Sequence, residues 1–425
     1  AADARQVQQE HAAYYLHFLA LQQDSLIGSE QRAAVSAISQ NIREIRAAWR
    51  WAVQYQEYAH LSEALDALGL FYYMRSWFAE GADLFGLAAH ELEPGRNEPE
   101  AGVVWARLRA RQGWFTFLLG RQQDGLNQLL ESVELLRPVG NRIDLAYSLS
   151  FTAAALAILG DYKEASSLCE EARAIYEKYQ DAYGCAISNN ILSQIAYQQG
   201  DYLKARRHCE ESLAFEQELG NRWSIGFTLT NLGRVAYALE HYGEAHGYFQ
   251  ESLAIRQSLA DSRGKALCLR YLGETAQAQG KTDQAKQDFE SSLSLFRNMG
   301  SQDETSATLI SLGHLALQRK QYLEAQRYFS EALRIAKQAA TMPRILEAIV
   351  SLAWLLAKKD PVESAQIAVA VHNNPAANRN SRKQAAKLLE DLRQTYTEEL
   401  ANAELTGKSF LDIDMFIDDL LSMFI

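Results

Sequence analysis

The feature that most constrains this chain is a period of forty residues. Polar breaks recur at Gly160-Asp161-Tyr162, Gly200-Asp201-Tyr202, Glu240-His241-Tyr242, Gly280-Lys281-Thr282 and Lys320-Gln321-Tyr322. Around them apolar residues return every three or four positions, as Ile225, Leu229, Leu232, Val235 and Ala236 do before one break and Ala245, Phe249, Leu253 and Ile255 after it. The spacing predicts a helix, a turn and a second helix in every period.

Within each period the small residues are also fixed. After the break come Ala165, Ala205, Ala245, Ala285, Ala325 and Ala365, and one helical turn later Cys169, Cys209, Phe249, Phe289, Phe329 and Val369. In the first helix the matching small position is Ala153, Ser193, Gly233, Gly273, Gly313 and Ala353, with Leu192, Leu232, Leu272, Leu312 and Leu352 ahead of the last five. The Leu-Gly pair, the Gly-Asp-Tyr turn, the Ala and the Phe resemble the tetratricopeptide repeat in its forty-residue variety, over about residues 103 to 370. That variety occurs in bacterial signalling ATPases and in some eukaryotic adaptors. A two-helix unit cannot bury its apolar face alone, so such units stack. The resemblance implies an all-α, right-handed α-α superhelix, a tetratricopeptide-repeat solenoid whose inner wall is built from the first helix of each pair.

Three regions are expected: a small helical bundle over 1–57, about eight helical hairpins over 58–374, and a capping helix with a tail over 375–425. The first region does not follow the period. It reads as helices over His11–Leu19, Arg32–Ser39 and Asn41–Val53, with a break at Gly28-Ser29-Glu30. Its His-Ala-Ala-Tyr-Tyr and Asn-Ile-Arg…Ala-Ala-Trp-Arg-Trp-Ala stretches resemble the segment that joins the ATPase core to the repeats in signal-transduction ATPases with numerous domains, which include a maltotriose-responsive activator and actinobacterial antibiotic-pathway regulators. The resemblance implies an upstream ATPase domain, and the absence of an initiating Met reads as a piece cut from a longer protein. From 58 to 137 the repeats are degenerate, with Gly69, Trp77, Ala82 and Phe85 in one unit and Gly113, Gly120 and Leu129 in the next.

At the other end Asn373-Asn374-Pro375 stops the eighth hairpin and Arg382 to Glu404 reads as one charged helix. The last sixteen residues, Phe410 to Ile425, carry four Asp and eleven large apolar residues, too apolar to leave in water. They read either as a helix packed on the array or on a second copy of the chain, making a homodimer, or as a docking peptide for a partner or for the inner wall.

Composition narrows the function. A formal net charge of −11 with no cluster of Lys and Arg argues against direct nucleic-acid contact. No apolar run reaches membrane-spanning length, and the first residues do not form a signal peptide. The cysteines Cys169, Cys185, Cys209 and Cys268 lack C-x-x-C spacing, which favours core thiols and a reducing, cytoplasmic compartment. Thr406-Gly407-Lys408-Ser409 imitates the end of a phosphate-binding loop, but Asn402 stands where that loop needs its first Gly. No zinc spacing and no Gly-x-Ser-x-Gly elbow occurs. The chain therefore reads as a binding module, with no catalytic residue, metal or cofactor.

Placing Gly233 eighth in its unit, the resemblance puts a solvated inner wall at Asn190, Gln194 and Tyr197, then Thr230, Asn231, Arg234 and Tyr237, then Arg270, Tyr271, Glu274 and Gln277, then Ile310, Ser311 and His314. The preceding unit offers Tyr147, Phe151 and Ala154. Arg234 and Arg270 are the candidates to converge on one acidic group of a ligand, although Arg270 can instead pair with Glu274 one turn away. Two functions follow. One is the sensor of a multidomain signalling ATPase, a transcriptional regulator in which a small-molecule inducer or a protein in the groove relieves autoinhibition. The other is a free-standing adaptor that holds a peptide or helix of a partner protein. A phosphatase acting on a response regulator is a third, weaker reading.

Overall fold

The computed structural model describes residues 2–140, 142–396 and 413–423, and it is helical wherever the period demands. After α1 (Ala2–Ala20), α2 (Gln23–Ile27) and α3 (Gln31–Gln54) come eight hairpins. They pair α4 (Tyr58–Met74) with α5 (Phe78–Leu92), α6 (Pro99–Leu118) with α7 (Gln122–Val139), α8 (Arg142–Leu159) with α9 (Tyr162–Lys178), and α10 (Ala182–Gln199) with α11 (Tyr202–Leu219). The rest pair α12 (Arg222–Ala238) with α13 (Tyr242–Ser258), α14 (Ser262–Ala278) with α15 (Thr282–Asn298), α16 (Gln302–Gln318) with α17 (Tyr322–Gln338), and α18 (Met342–Leu356) with α19 (Pro361–Asn373). Two helices follow, α20 (Arg379–Thr395) and α21 (Ile413–Ser422). No strand occurs among the described residues. The chain forms two compact units, residues 1–264 and 265–425.

Helix length is set by left-handed residues. Positive φ recurs every twenty residues at Gly120, Gly140, Gly160, Gln180, Gly200, Gly220, Glu240, Ala260, Gly280, Gly300, Lys320 and Ala340. At each from Gly160 onward two reversed hydrogen bonds close the helix; at Gly200 they run from its N–H to the Tyr197 carbonyl (3.0 Å) and from the Asp201 N–H to the Ala196 carbonyl (2.9 Å). The next residue then starts a helix. The side chains of Asp161, Asp181, Asp201, Asn221 and Asp261 accept from the N–H three residues on, satisfying one of the free donors at each N-terminus.

The small position of the first helix receives the ring of the second. A Cβ on Gly233 would lie 2.5 Å from the Phe249 ring, and one on Gly313 would lie 2.3 Å from that of Phe329. Where this position is Ala153 or Ser193, the opposing residue is the smaller Cys169 or Cys209. The sum of the two side chains is thus held nearly constant from hairpin to hairpin. A serine on the second helix adds a recurring cross-link: Ser212, Ser252 and Ser292 donate to the carbonyls of Ala186, Gly226 and Ala266, each 26 residues back, at 2.9, 2.6 and 2.8 Å.

In the first unit the N-terminal segment turns back on the array. The two helices expected between Arg32 and Val53 are one 24-residue helix, α3, because Gln40 and Asn41 contain no breaker. Its first residue, Gln31, is buried; it donates to Asn221 Oδ1 (2.6 Å) and the Leu26 carbonyl (2.8 Å) and accepts from the Trp223 N–H (2.8 Å). The turn at Gly28-Ser29 therefore lies on the turn between α11 and α12, where a Cβ on Gly220 would meet Ser29 Cβ at 3.2 Å. Nearby, Tyr73 of α4 meets Trp223 of α12 edge to face at 5.4 Å.

In the second unit α21 packs within the chain. Ile417 and Leu420 are buried in the same core as Leu333 and Ala336 of α17, and Lys337 bonds Asp418 (3.0 Å) and lies 3.5 Å from Asp414. Of the two readings of the tail, packing on the array is the one realised over 413–423. The charged helix is shorter than expected, ending at Thr395; residues 397–412, which include Thr406-Gly407-Lys408-Ser409, lie outside the described residues.

Two outcomes test this account. Gly313→Ala is expected to destabilise the second unit by about 1–3 kcal/mol through overpacking, and Phe329→Leu in the same chain to cost less than the two single changes summed, measured by urea unfolding. Gln31→Ala strips the Trp223 N–H of its partner and leaves Asn221 Oδ1 with the Ser224 N–H alone, which costs about 1–3 kcal/mol. Hydrogen exchange at residues 28–34 and 219–224 is expected to rise together.

Candidate functional site

The inner wall is not uniformly solvated. Asn190 and Asn231 are only 7% and 6% exposed, a correction to the expectation that both face a groove. The cause is Glu216 of α11, fully buried, whose Oε1 accepts from Asn190 Nδ2 (2.9 Å) and Thr228 Oγ1 (2.8 Å) and lies 3.1 Å from Ser212 Oγ. Asn190 Oδ1 in turn accepts from Asn231 Nδ2 (3.4 Å) and lies 3.1 Å from Thr228 Oγ1. These residues tie α10, α11 and α12 together from behind the wall. Burial raises the Glu216 pKa to about 7, against the opposing pull of its hydrogen bonds and Arg256.

Ile310 is buried as well, at 3% exposed, and the remaining wall positions are half-buried. Arg234 lies over the Tyr197 ring at 4.5 Å, a cation–π contact. Tyr197 and Tyr237 rest on Tyr202 and Tyr242 at 5.4 and 5.5 Å, and Gln194 is on the same helix as Tyr197. In the second unit Arg270 pairs with Glu274 at 2.7 Å and covers the Tyr271 ring at 4.6 Å. Its side chain is 16% exposed, so the expectation that both arginines stand freely in solvent fails at Arg270. Burial lowers the His314 pKa and its Nε2 lies 3.3 Å from Ser351 Oγ; a neutral imidazole there is a hydrogen-bonding group rather than a charge.

A second feature lies deeper in the first unit. Arg107 and Arg111 of α6, both nearly buried, are held by Asp66 of α4 and Asp144 of α8, with 2.9 Å from Arg107 to each carboxylate. The Arg111 guanidinium stacks on Tyr147 at 3.7 Å. Around this cluster stand aromatic rings from alternate helices: Tyr73, Trp114, Tyr147 with Phe151 at 4.4 Å, Tyr183, and Trp223 stacked on Phe227 at 6.3 Å. Tyr147 and Phe151 belong to the expected wall; Tyr73, Trp114, Tyr183, Trp223 and Phe227 were not anticipated. Their signal is a column: Tyr183 and Trp223 are forty apart, as are Tyr147, Ile187 and Phe227.

The four cysteines are free and buried, and burial pushes the Cys169 and Cys209 thiols up to about 12, far from the thiolate that nucleophilic chemistry requires. Among the described residues no group of three or more His, Cys, Asp or Glu is placed to hold a metal ion, and no helix is long and apolar enough to cross a membrane.

A tetratricopeptide-repeat family model matches residues 185–258 and 262–338, and a second one of the same description matches 145–179. These segments are tetratricopeptide repeats. No curated protein matches the chain. Among solved structures, a Rap protein complexed with competence and sporulation factor is similar at 15% identity and TM-score 0.56, over 92% of this chain and 99% of that one. A signal-transduction ATPase with numerous domains and a tetratricopeptide-repeat sensor, from Pyrococcus horikoshii, is similar at 13% identity and TM-score 0.55, over 95% of this chain but 55% of its own. The apo quorum sensor NprR from B. thuringiensis gives 14% identity and TM-score 0.53, over 84% and 99%. At these identities the likeness is one of fold.

Glu216 gives a pH prediction. Its folded pKa, about 7, lies above the ordinary value of 4.5, so its contribution to stability is fully present below about pH 4.5 and is lost as pH rises through 7. The loss is on the order of 3 kcal/mol. Glu216→Gln is expected to flatten that slope, read from urea midpoints at pH 5 and pH 8.

Proposed function

We propose that this chain is the sensor region of a multidomain signalling ATPase, a transcriptional regulator in which an inducer bound against the first helices relieves an inhibited state. The carrying observation is the buried Gln31 bridge to Asn221 and Trp223. It makes the N-terminal helices, which would connect to an upstream ATPase, part of the conformational state of the repeat wall. The fold likeness to a signalling ATPase with a tetratricopeptide-repeat sensor supports the reading. In it, Arg234 on Tyr197 anchors an acidic or acceptor group of the ligand, with Gln194 and Tyr237 beside them. Asn190 and Asn231 hold their helices from behind, and Arg270, Glu274 and His314 form a polar strip in the second unit.

The alternative is a free-standing adaptor for a peptide or helix of a partner protein, supported by fold likeness to a Rap protein complexed with competence and sporulation factor and to the quorum sensor NprR. A homodimer through the tail would form by exchange of α21 between chains. Screening the chain against small molecules by ligand-observed NMR and against displayed peptides separates the two functions. Small-molecule hits weakened about tenfold by Arg234→Ala, the scale of one lost charge-assisted contact, support the sensor. Peptide hits alone support the adaptor, and saturable binding of neither kind sinks both.

A further inference from the structure

Two places on the second helices of the second unit are the same place one period apart. One is the seat of α21 on α17, where Ile417 and Leu420 share a core with Leu333, and Lys337 takes Asp418 (3.0 Å) and Asp414 (3.5 Å). Forty residues before Leu333 and Lys337 stand Leu293 and Arg297 of α15. These line an open cleft of about 560 Å³ between α15 and α17, floored by Leu293 and Leu312 and rimmed by Arg297, Arg327, Tyr328 and Glu331. A cleft of that size admits a few side chains of a partner.

The seat of α21 shows which partner such a place accepts. The column through both places carries a cation at Arg137, Arg297 and Lys337. Arg137 and Arg297 each pair with a carboxylate 34 residues on, Glu171 and Glu331. After Lys337 that position is Val371, and the aspartates of α21 stand in for the missing carboxylate. Asp414, Ile417, Asp418 and Leu420 are spaced three or four apart, so one face of α21 brings both the acids and the apolar side chains. Alone, this helix is a poor one: it has ten residues and no Lys or Arg, and Asp418 and Asp419 oppose the dipole at its C-terminal end. Its helicity is supplied by the surface on which it lies.

The cleft one period earlier keeps the same parts, an apolar floor beside a cation, and adds a second cation. Arg327 faces the Tyr328 ring at 5.4 Å and has no carboxylate within ion-pair distance among the described residues. The Arg297 and Glu331 side chains are 48% and 40% exposed, so their pair is a solvated one that a competing carboxylate can enter at little cost. We infer that the cleft between α15 and α17 is a docking site for an acidic amphipathic helix of a partner protein, patterned like α21 as acid-x-x-apolar-acid-x-apolar. Its apolar residues lie on Leu293 and Leu312, and its acids pair with Arg297 and Arg327. The site is built on second helices, apart from the wall of first helices, and stands whichever ligand that wall takes.

The probe is a fluorescein-labelled peptide of residues 412–423, titrated into the full chain and read by anisotropy. Saturable binding at one site is expected, weakened at least tenfold by Arg297→Gln combined with Arg327→Gln, two exposed positions whose replacement leaves the urea midpoint unchanged. Asp414→Asn with Asp418→Asn in the peptide is expected to cost as much, and Lys337→Gln in the chain to change the affinity less than twofold. Absence of saturable binding, or an unchanged affinity in the double arginine variant, overturns the assignment. If Lys337→Gln weakens the peptide and the arginine variant does not, the peptide exchanges with α21 at its own seat, and the cleft is the wrong site. Light scattering tests the other occupant: a dimer of the full chain that the arginine variant disperses gives the cleft to the α21 of a second copy and overturns the partner protein.

Discussion

The rest of the structure depends on the left-handed residue that ends each helix at twenty-residue intervals. Fixing the helix length fixes where the next N-terminus begins, and that in turn fixes which residues of adjacent helices oppose one another. An αL conformation is nearly free for Gly and costs on the order of 1 kcal/mol or more for other residues. The chain nevertheless places Gln180, Glu240, Ala260, Lys320 and Ala340 there. The paired hydrogen bonds at each turn, and the capping Asp that follows Gln180 and Ala260, offset that strain. The period therefore survives even where its most favourable residue is missing.

Given that register, packing inside each hairpin is a local matter, and this is why so much of it can be read from the sequence. The Gly of the Leu-Gly pair is a space filled by the ring sixteen residues later, and the compensating Ser193–Cys209 pair shows the same rule with the volumes redistributed. Helix boundaries between 160 and 340, the turns and the burial of the four cysteines all follow from interactions spanning fewer than forty residues. Terminal hairpins obey different partners: Gly69 faces Arg111 rather than a ring of its own hairpin, and their degeneracy in sequence reflects that.

The candidate site was less legible, because its determinants are not periodic. Family wall positions assume that a first-helix polar residue faces solvent. Glu216, one buried carboxylate, draws Asn190 and Asn231 away from it. The bridge from Gln31 to Asn221 spans 190 residues, and no repeat pattern encodes it. Without that closure the Tyr183–Trp223 column is an ordinary apolar stripe; with it, Trp223 meets Tyr73 of α4 edge to face.

The closure at Gln31 defines how such a unit can open. The bridge comprises two buried hydrogen bonds, each worth about 1 kcal/mol net, with a larger penalty if one partner is stranded. That energy is well below the stability of the stacked hairpins, so opening at residues 28–31 and 219–223 need not unfold the array. A ligand that favours the closed arrangement a hundredfold shifts its population by about 2.7 kcal/mol, the same scale as the bridge itself. The turn at Gly28–Gln31 is thus the point at which α3 is tied to the turn between α11 and α12, by a contact of the same scale as a ligand's differential binding energy.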